Sequence, residues 1–142
     1  MDNNNGHKDL LNTLSNGLAD AVESASKALV TVNGRQRQSA SGVVLSQGVV
    51  ITAEHVLERD EDITVQTADG RTLPAQLVGR DHASDLAILK VADLNIEPAN
   101  FAEGPARVGQ MVLAIGRPHE TGVMASSGIV SAVGGPIRTG RG

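Results

Sequence analysis

The 142-residue chain carries 12 basic and 16 acidic residues for a net charge of −4, is 40% hydrophobic, and has one Phe, no Tyr, no Trp and no Cys. That apolar content excludes a disordered chain and suits one ordinary domain, or one small domain and part of another. The missing aromatics and basic stripe argue against nucleic-acid binding, and the missing thiols exclude a disulfide framework or a thiolate zinc site.

In chain order, the polar start MDNNNGHK reads as a frayed end with no basic segment and apolar core of a secretory leader. No apolar run approaches the ~18 residues that span a bilayer. The default is a soluble cytoplasmic protein without a membrane partner, and an extracytoplasmic one if a leader has been removed. Apolar residues at 10, 11, 14, 18, 21, 22 and 25 predict a helix with one apolar stripe. The pattern then turns β-branched over 28–32, closed by Asn33-Gly34, a hairpin signal.

Short strands follow at close intervals: 37–46, 49–52 after a Gln47-Gly48 turn, 63–67, 72–79 after an Asp69-Gly70 turn, and 86–91. A helical turn is predicted near 53–57. Residues 92–108, with Pro98 and Pro105, are irregular and form a candidate domain boundary. Strands 110–115 and 123–133 come next, and the end, GGPIRTGRG, reads as an exposed loop. Many short strands with Gly-containing turns predict a barrel or sandwich. The expected division is a tail and helix over 1–27, a first barrel over 28–100, and the opening strands of a second, incomplete barrel over 101–142.

Two polar residues stand at the ends of apolar strands. In GVVITAEHVL (48–57) the strand runs into His55, and in ASDLAILKV (83–91) Asp85 precedes one. Alone, each has a bland reading: a histidine satisfied by a backbone carbonyl, and a turn carboxylate. Brought together by antiparallel strands of one barrel, they form the base-and-orienter pair of nucleophilic catalysis. The carboxylate there fixes the imidazole tautomer and stabilises the imidazolium.

SASGVVLS with GVVITAEHVL resembles the histidine segment of the HtrA/Deg family of trypsin-like serine proteases. DHASDLAILKV resembles that family's aspartate segment. VGQMVLAIGRP followed by VMASSGIVSAVG resembles the two strands that open its second barrel, so the resemblance runs in unbroken order over roughly residues 15–135. It implies an all-β, two-barrel trypsin-like fold with an N-terminal helix, and peptide-bond hydrolysis without metal or organic cofactor. It further implies His55 as general base and Asp85 as its orienter, with Thr52 and Ala53 setting the histidine's turn. Glu54 stands where the family usually has a neutral residue, and would face either solvent or the imidazole.

The family's Gly-Asn-Ser-Gly-Gly-like nucleophile turn has no counterpart in the 142 residues. Ser39, Ser41, Ser126, Ser127 and Ser131 fall inside strands and read as structural. The expected state is therefore a fragment, inactive alone, whose partners are a polypeptide substrate, a complementary C-terminal segment carrying the serine, and optionally further copies of itself. A metal site from Asp81, His82 and Asp85 lacks helical i, i+4 spacing, so no metal is expected. The rival reading is a non-catalytic peptide-binding module on a degenerate protease barrel, adding an extended peptide at a strand edge.

Overall fold

The structure, a computed structural model, describes residues 3–119 and 122–135. Helix α1 (Asn3–Ser26) leads into strands β1 (Leu29–Asn33), β2 (Ala40–Ser46) and β3 (Val49–Ala53). A short 3-10 turn follows (Glu54–Val56), and then β4 (Ile63–Gln66), β5 (Thr72–Asp81) and β6 (Leu86–Val91). Strands β7 (Met111–His119) and β8 (Gly122–Ile129) complete the described elements. Residues 3–8 of the polar start, expected to fray, are helical. Most of the glycine-rich end, residues 136–142, lies outside the described residues.

The first six strands close an all-antiparallel barrel in the order β1-β2-β3-β6-β5-β4, and β7 and β8 form a separate two-stranded sheet. Alternation in the sequence sets the barrel interior. Val44, Val50, Ile63, Val65, Ala87, Leu89 and Val91 point inward and are buried, while their neighbours along each strand are more open. Strand β1 breaks the alternation, with Leu29, Val30, Thr31 and Val32 all buried. Its outer side is covered where β7 crosses: the Thr31 hydroxyl donates to the Arg117 carbonyl at 2.9 Å, and the Arg117 N–H donates to Ser41 Oγ at 2.7 Å. Gly116 permits that approach, since a Cβ there would lie 2.9 Å from Ser41 Oγ.

Asn33-Gly34 does not form a two-residue turn. Strands β1 and β2 do pair as a hairpin, but through a longer connection over residues 34–39. Gly34 is needed for another reason: a Cβ there would collide with Leu57 Cδ2, and its carbonyl accepts the Glu58 N–H at 3.0 Å. The glycine lets the hairpin loop lie against the segment after His55. Strand β2 starts at Ala40, three residues later than expected; β7 ends four residues later than expected, at His119, and β8 stops at Ile129 instead of residue 133.

Met111, Val112, Met124, Ile129 and Val133 are exposed, as are Leu10, Leu11 and Leu14 on α1, while Leu113 and Ile115 are half-buried. Exposed apolar side chains on α1 and on the β7–β8 pair favour association. The chain is expected to enhance the fluorescence of a hydrophobic dye and to self-associate with rising concentration in sedimentation runs. A dye-silent monomer at high concentration would contradict this.

Candidate active site

The site grows from strand register. β3 and β6 are antiparallel neighbours, with Thr52 opposite Ala87 and Ala53 opposite Leu86. The residues just past the end of β3 therefore meet those just before β6. Thr52 is buried and its hydroxyl donates to the Ser41 carbonyl at 2.8 Å, fixing the strand end. Ala53, still extended, starts the 3-10 turn, which the Leu57 N–H closes onto the Glu54 carbonyl at 3.0 Å. His55 is the middle residue of that turn.

Asp85 grips the turn three ways. Its carbonyl accepts the Glu54 N–H at 3.0 Å, its Oδ1 accepts the His55 backbone N–H at 2.9 Å, and its Oδ2 lies 2.7 Å from His55 Nδ1. The His55 amide and ring together hold the Asp85 carboxyl below its ordinary value, the amide contributing most. As a carboxylate, Asp85 accepts at Nδ1, which places the ring proton there and leaves Nε2 with the lone pair. The His55 side chain is 65% exposed, so this lone pair is open to an incoming donor. Such an arrangement can take a proton from a hydroxyl and return it to a leaving group.

The turn that delivers Asp85 is itself fixed. Asp81 accepts from the Ala83 and Ser84 N–H groups at 3.2 Å each and from the Ser84 hydroxyl at 2.5 Å, and these bonds hold its carboxyl below the ordinary range. Asp85 adopts a left-handed conformation, φ 57°, which an Asp tolerates better than most residues.

Glu54 faces neither solvent nor the imidazole. It is buried, with Arg80 Nη1 3.2 Å from one carboxylate oxygen and His82 Nδ1 3.0 Å from the other. Asp81, His82 and Asp85 thus each turn to a different partner, and among the described residues no three His, Cys, Asp or Glu side chains gather to hold a metal. Ser39 donates to Asn33 Oδ1 at 2.6 Å and Ser41 Oγ accepts the Arg117 N–H on β7, while Ser126, Ser127 and Ser131 are exposed on or just after β8. No sequence signal announces the Glu54–Arg80 pair, whose partners are 26 positions apart in the chain.

A family profile described as the trypsin-like peptidase domain matches residues 40–142. The chain belongs to this family. Its resemblance within the family is to the HtrA/Deg proteases. The trypsin-like chain is 38% identical over 132 residues to the serine endoprotease DegS of Haemophilus influenzae, a match covering 81% of this chain and 38% of that protein. It is 39% identical over 110 residues to the periplasmic serine endoprotease DegP of Salmonella typhimurium, covering 72% and 23%. The crystal structure of a serine endoprotease from Yersinia pestis superposes with a TM-score of 0.72 at 38% identity, over 80% of this chain and 44% of that one. The trypsin-like chain therefore spans less than half the length of each. No helix among its described residues is long and apolar enough to cross a membrane.

Proposed function

We propose that this chain supplies the base half of an HtrA/Deg-type serine endopeptidase. His55 is the general base and then the general acid, Asp85 orients it, and the nucleophilic serine is contributed by residues outside these 142. The serine hydroxyl attacks the scissile carbonyl as His55 Nε2 takes its proton. Asp85 stabilises the imidazolium, which then protonates the leaving amine, and water repeats the cycle to release the acyl group. No metal or organic cofactor enters these steps.

The observation that carries the reading is the 2.7 Å Nδ1–Oδ2 contact, made at the paired ends of β3 and β6. A peptide-binding module needs no such pair. Residues 28–100 then act as the first barrel and 101–142 as the opening of the second, completed by a C-terminal segment. The substrate is polypeptide, unfolded or exposed, and the active form is a homo-oligomer. An extracytoplasmic location is proposed from the relative named periplasmic.

A fluorophosphonate probe tests this. The 142-residue chain alone should label at no serine, and the longer protein containing it should label at one serine, with labelling lost on His55→Ala. His55-dependent labelling within the 142 residues would show that the nucleophile is among them. No labelling of the longer protein would replace the protease by the peptide-binding module.

A further inference from the structure

We propose that Glu54 is a positioning residue for His55: clasped by Arg80 and His82, it fastens the turn that carries the histidine to the segment that carries Asp85. The inference rests on the reading of His55 and Asp85 as the base pair and adds a residue to its support.

Burial is the first argument. The Glu54 side chain is 10% exposed, against 65% for its neighbour His55. A carboxyl group at that depth needs polar or charged partners. It has Arg80 Nη1 at 3.2 Å and His82 Nδ1 at 3.0 Å, one on each oxygen.

The second argument is how Arg80 gets there. The β5–β6 register shifts between Leu77 and Gly79, leaving Val78 as an extra residue. Before the shift, Leu77 faces the buried Leu89; after it, Gly79 faces the outward Ile88 and Arg80 faces the buried Ala87. Without the extra residue, alternation would turn Arg80 to the barrel's outside. The bulge re-aims it to the inner side at the barrel's mouth, where Glu54 lies. An ordinary surface ion pair needs no such device.

The third argument is what Arg80 holds besides Glu54. Its Nη2 donates to the Leu57 carbonyl at 3.1 Å and pairs with Asp60 at 3.1 Å. Arg80 therefore grips the turn at its first residue and just beyond its last. Residues 80–85 thus hold the turn twice. Asp85 holds it in front through the His55 amide and ring, and Arg80 with His82 hold it behind through Glu54. Because the His55 ring is mostly exposed, packing does little to place it. Its distance from Asp85 depends on where the turn sits.

The test reads the Asp85 carboxyl by carbon NMR titration of the chain. Charged and titratable groups on the elements packed against it are Glu54 and His55 on the 3-10 turn, Arg80 and Asp81 on β5, and His82 in its own turn. Deleting the Glu54 charge with nothing moving would lower the Asp85 midpoint, since a negative neighbour is lost and Arg80 keeps only Asp60 as its ion-pair partner. Loosening the turn would raise it, since the His55 amide and ring bonds weaken. The direction therefore separates charge from position.

In Glu54→Ala the Asp85 midpoint is expected to rise by about half a pH unit or more. Glu54→Gln, which keeps an acceptor for Arg80, should raise it less. The Asp69 midpoint, in the β4–β5 connection, and the amide exchange of the buried Val50 and Leu89 should not change. An unmoved or lowered Asp85 midpoint with the barrel intact would overturn the inference and leave the base pair standing. If Glu54→Ala does not fold, the sign in Glu54→Gln decides in the same way. A wild-type Asp85 that titrates at the ordinary carboxylate value and ignores His55→Ala would overturn the base-pair reading and this inference together.

Discussion

On the proposed function, exchanging Asp85 for Asn is expected to lower kcat for peptide hydrolysis by the longer protein that carries these residues, on the order of 10⁴-fold with the barrel intact. The exchange is nearly isosteric. Asn accepts the left-handed backbone that Asp85 adopts at φ 57°, and its Oδ1 can still receive the His55 N–H now held at 2.9 Å. The change falls on the other contact. Where Oδ2 accepts at 2.7 Å from Nδ1, an amide NH2 would donate, so Nδ1 must carry the lone pair and the proton moves to Nε2. A protonated Nε2 cannot take the serine proton. KM should change little, because the exchange keeps the shape of the site and alters only the base, and nitrogen NMR of His55 should report the opposite tautomer. Asp85→Ala is a poorer test, since an alanine at this φ adds strain of about 1 kcal/mol. Acid should mimic the loss. The Asp85 carboxyl is held low by the His55 amide and ring, so its grip is complete above the unfolded-chain value and is lost as pH falls through the lower folded value. An Asn variant within tenfold of the parent would remove Asp85 from the mechanism.

Much of the site is legible in the sequence because its signals are local. The β-branched run Val49–Thr52 can only be a strand, and the polar residues after it have to begin something else. LAILKV likewise marks β6 and leaves Asp85 at its threshold. That the two thresholds meet follows only from antiparallel pairing and family resemblance, and the β3–β6 register accounts for it. Features that stay hidden depend on contacts distant in sequence. Nothing in TLPAQLVGRD announces that Val78 is an extra residue, because the bulge exists only relative to β6. Glu54 reads as solvated or competing with His55, since its partners Arg80 and His82 become neighbours only when the barrel closes. Asn33-Gly34 is a true hairpin signal with a different mechanism: the glycine serves the approach of Leu57, not a tight turn. The exposed Leu10, Leu11 and Leu14 show the opposite case, where a clear apolar stripe finds no cover among the described residues.

Gly42→Val should destabilise the barrel by about 3 kcal/mol, the upper end for forcing extra carbons into a packed core, and Gly42→Ala by about 1–2 kcal/mol. Gly42 lies in the middle of β2, opposite Val30 on one side and Thr52 on the other. A Cβ there would stand 2.6 Å from Val50 Cγ1, 2.8 Å from Val32 Cγ2 and 3.2 Å from Val30 Cγ2. All three valines are fully buried. Being β-branched they are stiff at χ1, so none can swing aside, and the strands themselves must separate. Part of the cost for alanine is offset, because glycine in a strand loses more backbone entropy on folding, by about 0.5–1 kcal/mol. Gly79 is the matched control: it lies in β5, a Cβ added there would meet nothing within 4 Å, and its φ is not left-handed. Gly79→Ala should therefore be neutral or slightly stabilising. Urea midpoints of the three variants decide the matter, and equal midpoints for Gly42→Ala and Gly79→Ala would contradict the packing argument. The strain also points at the site. Thr52, the partner of Gly42 across the sheet, is three residues from His55 and fixes the strand end through the Ser41 carbonyl. A β2 pushed off β3 should loosen that bond first, so in Gly42→Ala the amide of His55 should lose exchange protection before those of β6.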